Sequence, residues 1–408
     1  MIVKDEAHVL PRCLGALKPH IDCALIIDTG STDNTKELIP TLLDEVTVEE
    51  EPFQSFQHNR SRLLARAREV YPDADFHLMI DADDTFSPRE DFEWPELKDD
   101  CYLLRHTLGP LAWWRPQLFR ASRPFYYTGS AHEIATCDEP YTIERLPGIT
   151  VRCGSDGARR KNEPVKKYER VAGILEKEVE KNPQDRRSTF YLAQSYRDAG
   201  QAEKALEMYE RRAEMGGWGE EIWYSKHQIA RIKSHLERPF EEVLADFVSA
   251  YEARPTRAES LSDAAFLCRR NQRFSLAYIY AAAAISIPYP ETDRLFVDYF
   301  CYAWRRWDEY AMACWHHRRF DEAIWANWQI LSNPEAEGYP VERMLNNITH
   351  CCRAPKEHFD KLHAVWEGTM SLPTVDKKPY LAMELRKDKD LRPLLSRIRN
   401  AIERTNPQ

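Results

Sequence analysis

Residues 1–155 alternate short apolar runs with segments whose apolar positions recur at helical spacing. IVK (2–4) opens the chain, and Val9, Leu10, Cys13, Leu14 and Leu17 then share one helical face, with Pro11 tolerable in a first turn. ALIID (24–28) reads as a buried strand ending in Asp28. The stretch 29–45 starts with turn and capping residues and then sets Leu38, Ile39, Leu42 and Leu43 on one face. VTVEE (46–50) predicts another strand, Asn59 to Val70 a helix with Leu63, Leu64 and Ala67 inward, and HLMID (77–81) the next strand. The order β-α-β-α-β-α-β predicts a parallel sheet covered by helices. Ligands of such sheets bind beyond the carboxyl ends of the strands, where Asp28 and Asp81 are expected.

Past residue 160 the strand signals fade. Breaks at Ala199-Gly200, Arg238-Pro239, Asn271 and His317 are each followed six positions on by a small or apolar residue: Ala205, Leu244, Ala277 and Ala323. Pro255, Pro288 and Pro334 follow the last three breaks by seventeen positions, and Gly216 holds that place in the first. Helix pairs with a breaker at a period of roughly 34 residues predict a stack of helical repeats. FYLAQSYRDAGQAEKALEMYERRAEM (190–215) is the clearest copy and resembles a tetratricopeptide repeat. Such arrays offer a surface to peptides or proteins; bracing the first domain, or forming a homodimer, is the plainer use of the same helices. The region from Gly338 on, with Leu391 to Ile398 basic and leucine-rich, reads as a helical cap.

Charge and cysteines narrow the setting. A net charge of −9 gives no global attraction to nucleic acid or to anionic membranes. The ten cysteines include no CxxC and no repeated Cys/His spacing of a zinc site, so buried thiols in a reducing compartment are expected. MIVKDEAHV lacks a basic-then-apolar leader pattern, and the longest nearly apolar run, 277–287, is too short to span a membrane. A cytoplasmic location follows as the expectation.

The chemistry concentrates in HLMIDADD (77–84). Asp81 and Asp83 flank Ala82 at the end of an expected strand, a spacing that lets carboxylates meet one hard divalent cation shared with a diphosphate. Acidic triplets of this kind are more often solvated turns. In combination, however, MIVKDEAHVLPRCLGAL, IIDTGSTDNTKELI, FQSFQHNRSRLLARA and DADD resemble family 2 glycosyltransferases of the GT-A fold. They resemble most closely the branch with tetratricopeptide repeats after the catalytic domain, which includes bacterial peptide S-glycosyltransferases of the sublancin type. The likeness covers nearly the first 220 residues.

What the resemblance implies can be placed on this chain residue by residue. Lys4 and Glu6 flank the nucleoside; Asp28, Gly30, Ser31 and Asp33 form the uridine and ribose pocket; and Asn59 belongs with the donor, although His58 stands where an arginine is common. Asp81 faces the ribose or the metal, and Asp83 binds a Mn2+ or Mg2+ ion that bridges the diphosphate. In YYTGSAHEI (126–134), Glu133 is the implied general base and His132 its helper or a metal or phosphate contact; bracing is the simpler role for this pair. Relatives carry residues ahead of the Met-Ile-Val-Lys segment, so the first strand is short here. Many also have a histidine where this chain reads VRCGSDGARR (151–160), so Cys153 or the nearby arginines replace it.

The basic stretch 157–170 is either a solvated linker or a closure over the diphosphate, the linker being preferred. Trp113 and Trp114, beside Arg115 and Arg120, are expected in the core before a sugar site, and WRRWDEYAMACWHHRRF (304–320) in the repeats. The architecture expected is an α/β GT-A (Rossmann-like) domain over 1–155, a linker and first helix over 156–182, an all-α tetratricopeptide-like domain over 183–335, and a cap over 336–408. The function implied is metal-dependent, inverting transfer of a sugar from a nucleotide-sugar donor, a UDP-sugar by preference, to a peptide or protein side chain. Glycan or modified-nucleobase transfer and a non-catalytic nucleotide-sugar-binding scaffold stand as alternatives, and nucleic-acid binding is disfavoured by the acidity.

Overall fold

The computed structural model describes residues 1–129, 131–154, 156–157, 164–333, 341–352 and 392–405. The chain forms two compact units, Met1–Ser225 with Asp293–Val297, and Lys226–Thr292 with Asp298–Gln408.

The first unit opens with β1 (Ile2–Val3), α1 (Leu10–Leu17), β2 (Ala24–Asp28), α2 (Thr35–Leu42), β3 (Val46–Glu50) and α3 (Phe56–Val70). The three strands pair in parallel in the order β1-β2-β3, with Val3 opposite Asp28 and Asp28 opposite Glu50. Leu10, Leu14 and Ile39 bury one side of this sheet with Ile26, while Leu63 and Leu64 of α3 bury the other with Leu25 and Ile27. That two-sided burial is what the near-continuous apolar run ALIID requires. The side chain of Ser55 caps α3 by accepting from the His58 N–H at 3.0 Å, so the helix starts earlier than the apolar pattern alone predicts.

The expected fourth parallel strand is corrected. Only Phe76–Leu78 (β4) is extended, and it runs antiparallel to β7 (Leu111–Arg120). β5 (Thr85–Pro88), β6 (Cys101–Leu108) and β10 (Ile143–Arg152) complete a mixed sheet in which β7 pairs β6, β6 pairs β10 and β10 pairs β5. The long β6–β7 hairpin supplies the edge that β4 joins. Met79 and Ile80 stay buried but leave the strand, so Asp81 follows it by three residues. β8 (Tyr126–Thr128) and β9 (Ile134–Thr136) form a small hairpin around residues 129–133.

Helices α4 (Pro164–Lys181), α5 (Arg186–Asp198), α6 (Ala202–Glu214) and the start of α7 (Gly219–His235) belong to this same unit. The first helical pair thus groups with the α/β part in one compact unit.

The second unit is helical: α8 (Phe240–Ala253), α9 (Glu259–Arg270), α10 (Phe274–Ser286), α11 (Arg306–His316), α12 (Phe320–Leu331), α13 (Val341–Cys351) and α14 (Arg392–Thr405). Every predicted break is a turn between paired helices, and each turn carries a left-handed residue: Gly200, Glu237, Gln272 and Arg318. Ala205, Ala277 and Ala323 are buried where neighbouring helices meet, and Leu244 packs at the margin. Ala265, Ala281, Tyr310, Ile324, Met344 and Ile348 join successive helices into one core, to which α14 adds Ala401. The chain therefore carries a tetratricopeptide-like helical-repeat region, as its periodicity predicts. Of the expected cap, residues 341–352 and 392–405 are helical; Pro334, Gly338 and the rest lie outside the described residues. No described helix is long and apolar enough to cross a membrane.

Candidate functional site

The carboxyl ends of β1 and β2 are knitted together by short polar side chains. Asp28 is fully buried, and its Oδ1 accepts the Gly30 and Ser31 N–H groups, each at 2.8 Å. Gly30 makes this turn with φ +103°, a region open chiefly to glycine. Asp5 reaches across from β1: its Oδ1 accepts from the Thr32 N–H at 2.6 Å and the Asp33 N–H at 3.3 Å, while its own N–H donates to Ser31 Oγ at 2.9 Å. Those backbone donors, the Thr32 N–H first, pull the Asp5 carboxyl below its usual range. Asp33 accepts from the Thr35 N–H and hydroxyl and from the Ala7 N–H, and the Glu6 N–H donates to Thr35 Oγ1. Lys4 is exposed at the start of the same loop. Thus Lys4, Glu6, Asp28, Gly30, Ser31 and Asp33 occupy adjoining loops. Asp28 Oδ2, buried and without a hydrogen-bond partner, is an acceptor left over once the loop is satisfied.

Asn59 lies at the entry to α3. Its Oδ1 accepts from the Gln54 and Ser55 N–H groups and its Nδ2 donates to Pro52 O, so this fully buried amide is spent on holding the entry to α3. His58 faces Glu51 at 3.5 Å.

The residue that sequence reasoning missed is Arg60. Its Nη2 donates to both oxygens of Asp81, at 2.7 and 2.9 Å, and its Nη1 to Glu133 at 3.1 Å. Arg115 stands 3.8 Å from the same Asp81 carboxylate. Enclosure by protein disfavours charge on Asp81, but Arg60 and Arg115 outweigh it and hold the carboxyl well below its ordinary range. Burial likewise opposes the Arg60 charge, and Asp81, Tyr127 and Glu133 more than restore it. The signal was present: Arg60 shares the inward stripe of α3 with Leu63, Leu64 and Ala67, a place where arginine needs carboxylate partners. Asp81, expected to face the ribose or the metal, thus has both of its oxygens hydrogen-bonded to Arg60.

Asp83 is half-buried and unlike Asp81 in its surroundings. The segment after β10 presses on it: an added Cβ on Gly154 would fall 1.9 Å from Asp83 O, and one on Gly157 3.0 Å from Asp83 Oδ2. Arg12 fixes this approach by donating to Asp83 O at 2.8 Å and to both oxygens of Asp156, and Asp156 O meets His8 Nε2 at 2.7 Å. Asp84 turns inward beside His106 and Cys153. Burial, then Asp81 and Asp83, push its carboxyl up to about 7.

Glu133 and His132 sit in the β8–β9 turn, where His132 has φ +53°. The first helical pair holds that strained residue. Tyr191 stacks on the His132 ring at 4.0 Å between centroids, and Arg187 donates to His132 O at 2.7 Å. Glu133 therefore joins the Asp81 cluster through Arg60, whereas His132 faces α5. Trp113 stacks on His106 and Trp114 lies against Arg145, both half-buried. In the basic stretch 157–170, residues 158–163 lie outside the described residues. A cavity of about 850 Å³ between β2 and β4, lined by Leu25, Ile26, His77 and Met79, holds none of these candidates.

Set against known proteins, the chain matches no family model. Over 84 residues it is 36% identical to a TPR repeat-containing protein of Synechococcus elongatus, a segment that is 21% of this chain and 19% of that relative, so about a fifth of the relative's length is spanned. Among solved structures, YrrB, described as a TPR protein with an unusual peptide-binding site, aligns at 15% identity over 57% of this chain and 99% of its own, with a TM-score of 0.34. A tetratricopeptide repeat protein of Parabacteroides merdae aligns at 14% identity over 58% of this chain and 100% of its own, with a TM-score of 0.35.

Proposed function

We propose that the first unit binds a nucleoside-diphosphate sugar and transfers its sugar to an acceptor, in a protein whose remaining length is a tetratricopeptide-like scaffold for a peptide or protein. The observation that supports this most is Asp28: a buried carboxylate oxygen with no partner, at the carboxyl end of a parallel strand, in a glycine-turned loop that brings backbone donors and acceptors to the same edge. A base or ribose offering an N–H or O–H satisfies that oxygen. Two guanidinium groups, Arg60 and Arg115, lie beside Asp81 and suit the charge of a diphosphate.

The residues present fit a hard divalent cation, Mn2+ or Mg2+. Asp83 offers carboxylate oxygens at the rim of the Gly154–Gly157 approach, and such ions take one or two carboxylates with substrate phosphates and water. When bound, that cation neutralises charge on the departing diphosphate. The chain's own residues do the rest. Arg60 ties Asp81 and Glu133 together and so positions Glu133 as the group that would take an acceptor proton. Tyr191 and Arg187 hold the turn that presents it. Inversion at the anomeric carbon is the stereochemistry that the family resemblance implies.

A second reading has a specific observation in its favour. With both Asp81 oxygens already paired to arginine, the acidic turn is satisfied without an ion, as in a repeat scaffold whose α/β part binds a nucleotide-sugar and does not turn it over. The likeness to a TPR repeat-containing protein points the same way. Hydrolysis of UDP-, GDP-, TDP- and ADP-sugars, with Mn2+, Mg2+ or chelator, on wild type and Asp83→Ala separates the two. Cation-dependent release of one nucleoside diphosphate, lost in the variant, supports transfer; a thermal shift with donor and no release supports the scaffold; neither response removes both readings of the donor site. Given release, mass spectrometry of peptide, glycan and nucleic-acid acceptors decides the acceptor class.

A further inference from the structure

Asp84, His106 and Cys153 come from three separate elements, the acidic turn, β6 and the segment after β10, and place a carboxylate oxygen, an imidazole nitrogen and a sulfur within 4.8 Å of one another. Asp84 is 4% exposed and His106 is fully buried. The His106 Nδ1 to Cys153 Sγ separation is 3.4 Å. Bonds of ~2.3 Å from zinc to sulfur and ~2.1 Å to nitrogen, at a tetrahedral angle, put those two atoms roughly 3.6 Å apart. The pair is thus already set at ligand spacing, and an Asp84 oxygen lies within 4.8 Å of both atoms.

We propose that Asp84, His106 and Cys153 form a binding site for a zinc-class transition-metal ion, separate from the Mn2+ or Mg2+ expected at Asp83. The donor set decides the class: thiolate, imidazole and carboxylate together favour Zn2+, Co2+ or Fe2+, whereas Mg2+ and Mn2+ prefer all-oxygen surroundings. Electrostatics agree. A cation offsets the cost of burying Asp84 that a single long hydrogen bond, from the Gly154 N–H at 3.3 Å, does not cover. His106 is neutral at ordinary pH, since burial and then Arg115 push it down to about 3, so it needs to lose no proton to bind. Cys153 loses its proton on binding, as does Asp84 wherever it is protonated. The ion fastens the segment after β10 to the turn that holds Asp83, and three protein ligands leave a position for water.

The test uses the full-length chain stripped with chelator and then titrated with Zn2+ or Co2+ alone. A single high-affinity equivalent is expected, with a thiolate charge-transfer band for Co2+ and protection of Cys153 from thiol labelling. Cys153→Ser and His106→Gln should each weaken binding by at least about 100-fold, the upper end of what losing an outer-shell partner costs. Asp83→Ala should leave it intact while abolishing cation-dependent donor release, so this site and the sugar-transfer reading fail independently. Absence of the Co2+ thiolate band together with unprotected labelling in the wild type overturns the proposal, whatever the folding of the variants. So does binding that Cys153→Ser, shown folded by circular dichroism, retains.

Discussion

A methyl group on Gly154 would lie 1.9 Å from Asp83 O and 2.9 Å from Asp83 Cβ, and the obstructing atoms are mostly backbone. Nothing flexible can yield, so Gly154→Ala must displace the Asp83 turn. The expected result is loss of cation-dependent donor binding, by 10-fold or more on the order of what ~1.4 kcal/mol of misplacement costs, in a protein that remains folded; calorimetric titration with donor and Mn2+ measures it. Arg60 carries a larger burden, because removing it leaves Asp81 and Glu133 facing each other without their shared counter-charge. Arg60→Met should destabilise the chain by about 3 kcal/mol, as expected for breaking a buried ion pair from one side, and Glu133→Gln by less; urea unfolding of both variants tests the order. The sequence was informative about residues that act locally. Asp28 bonds to Gly30 and Ser31, and Asp33 to Thr35, within three positions, and a turn-and-cap stretch announces that, although not the reach of Asp5 and Ala7 to the same loop. Arg60 acts on carboxylates 21 and 73 positions away, and only its place in an apolar stripe hinted at the need for them.

At the scale of elements, the helical repeats were the most legible part. Helix hairpins are local structures, and each needs a left-handed residue where one helix ends, so the breaks are written into the chain at the turns themselves. Three of the turns meet that need without glycine: Glu237, Gln272 and Arg318, at φ of 55°, 57° and 57°, all exposed. An L side chain in this region costs about 1 kcal/mol or a little more. Gln272→Gly and Arg318→Gly should therefore each stabilise the protein by about 0.5–1 kcal/mol, less the entropy glycine adds to the unfolded chain, and together roughly additively. A rise in the urea midpoint without change of slope is the signature, and a fall in either variant would show that the side chain has contacts worth more than the strain. The sheet was less legible for the opposite reason. Strand runs at 24–28 and 46–50 appear as predicted, but the partner of Phe76–Leu78 is set by a hairpin that lies forty residues on, where periodicity says nothing about pairing. Once β7 takes that edge, the strand stops early and Asp81 enters a turn where arginines can reach both of its oxygens.

Across the molecule, and inside each of its two compact units, buried histidines and buried carboxylates set opposite demands on pH. In the first, His77 is half-buried on β4 with its Nε2 unpartnered, and burial, then Arg68 and the terminal amine, push its imidazole down to about 4. The unfolded chain binds a proton on that group below about 6.5, and the folded chain does so only below about 4, so stability from His77 is complete above that window and is lost as pH falls through it. In the second unit Asp263, Asp298 and Glu309 are raised by burial, despite an arginine opposite each. There the folded chain keeps protons that the unfolded chain releases, so their contribution is greatest in acid and declines as pH rises from the ordinary carboxylate range. Composition alone reveals neither slope, because an excess of acidic residues predicts only net repulsion, and the direction depends on which groups are enclosed. His77→Gln should therefore flatten the acid limb of stability between about pH 4 and 6.5 while leaving the difference between pH 7 and 8 unchanged. Urea unfolding followed across that range decides it: an acid limb as steep in the variant as in the wild type would place the acid sensitivity elsewhere in the first unit and remove His77 as its source.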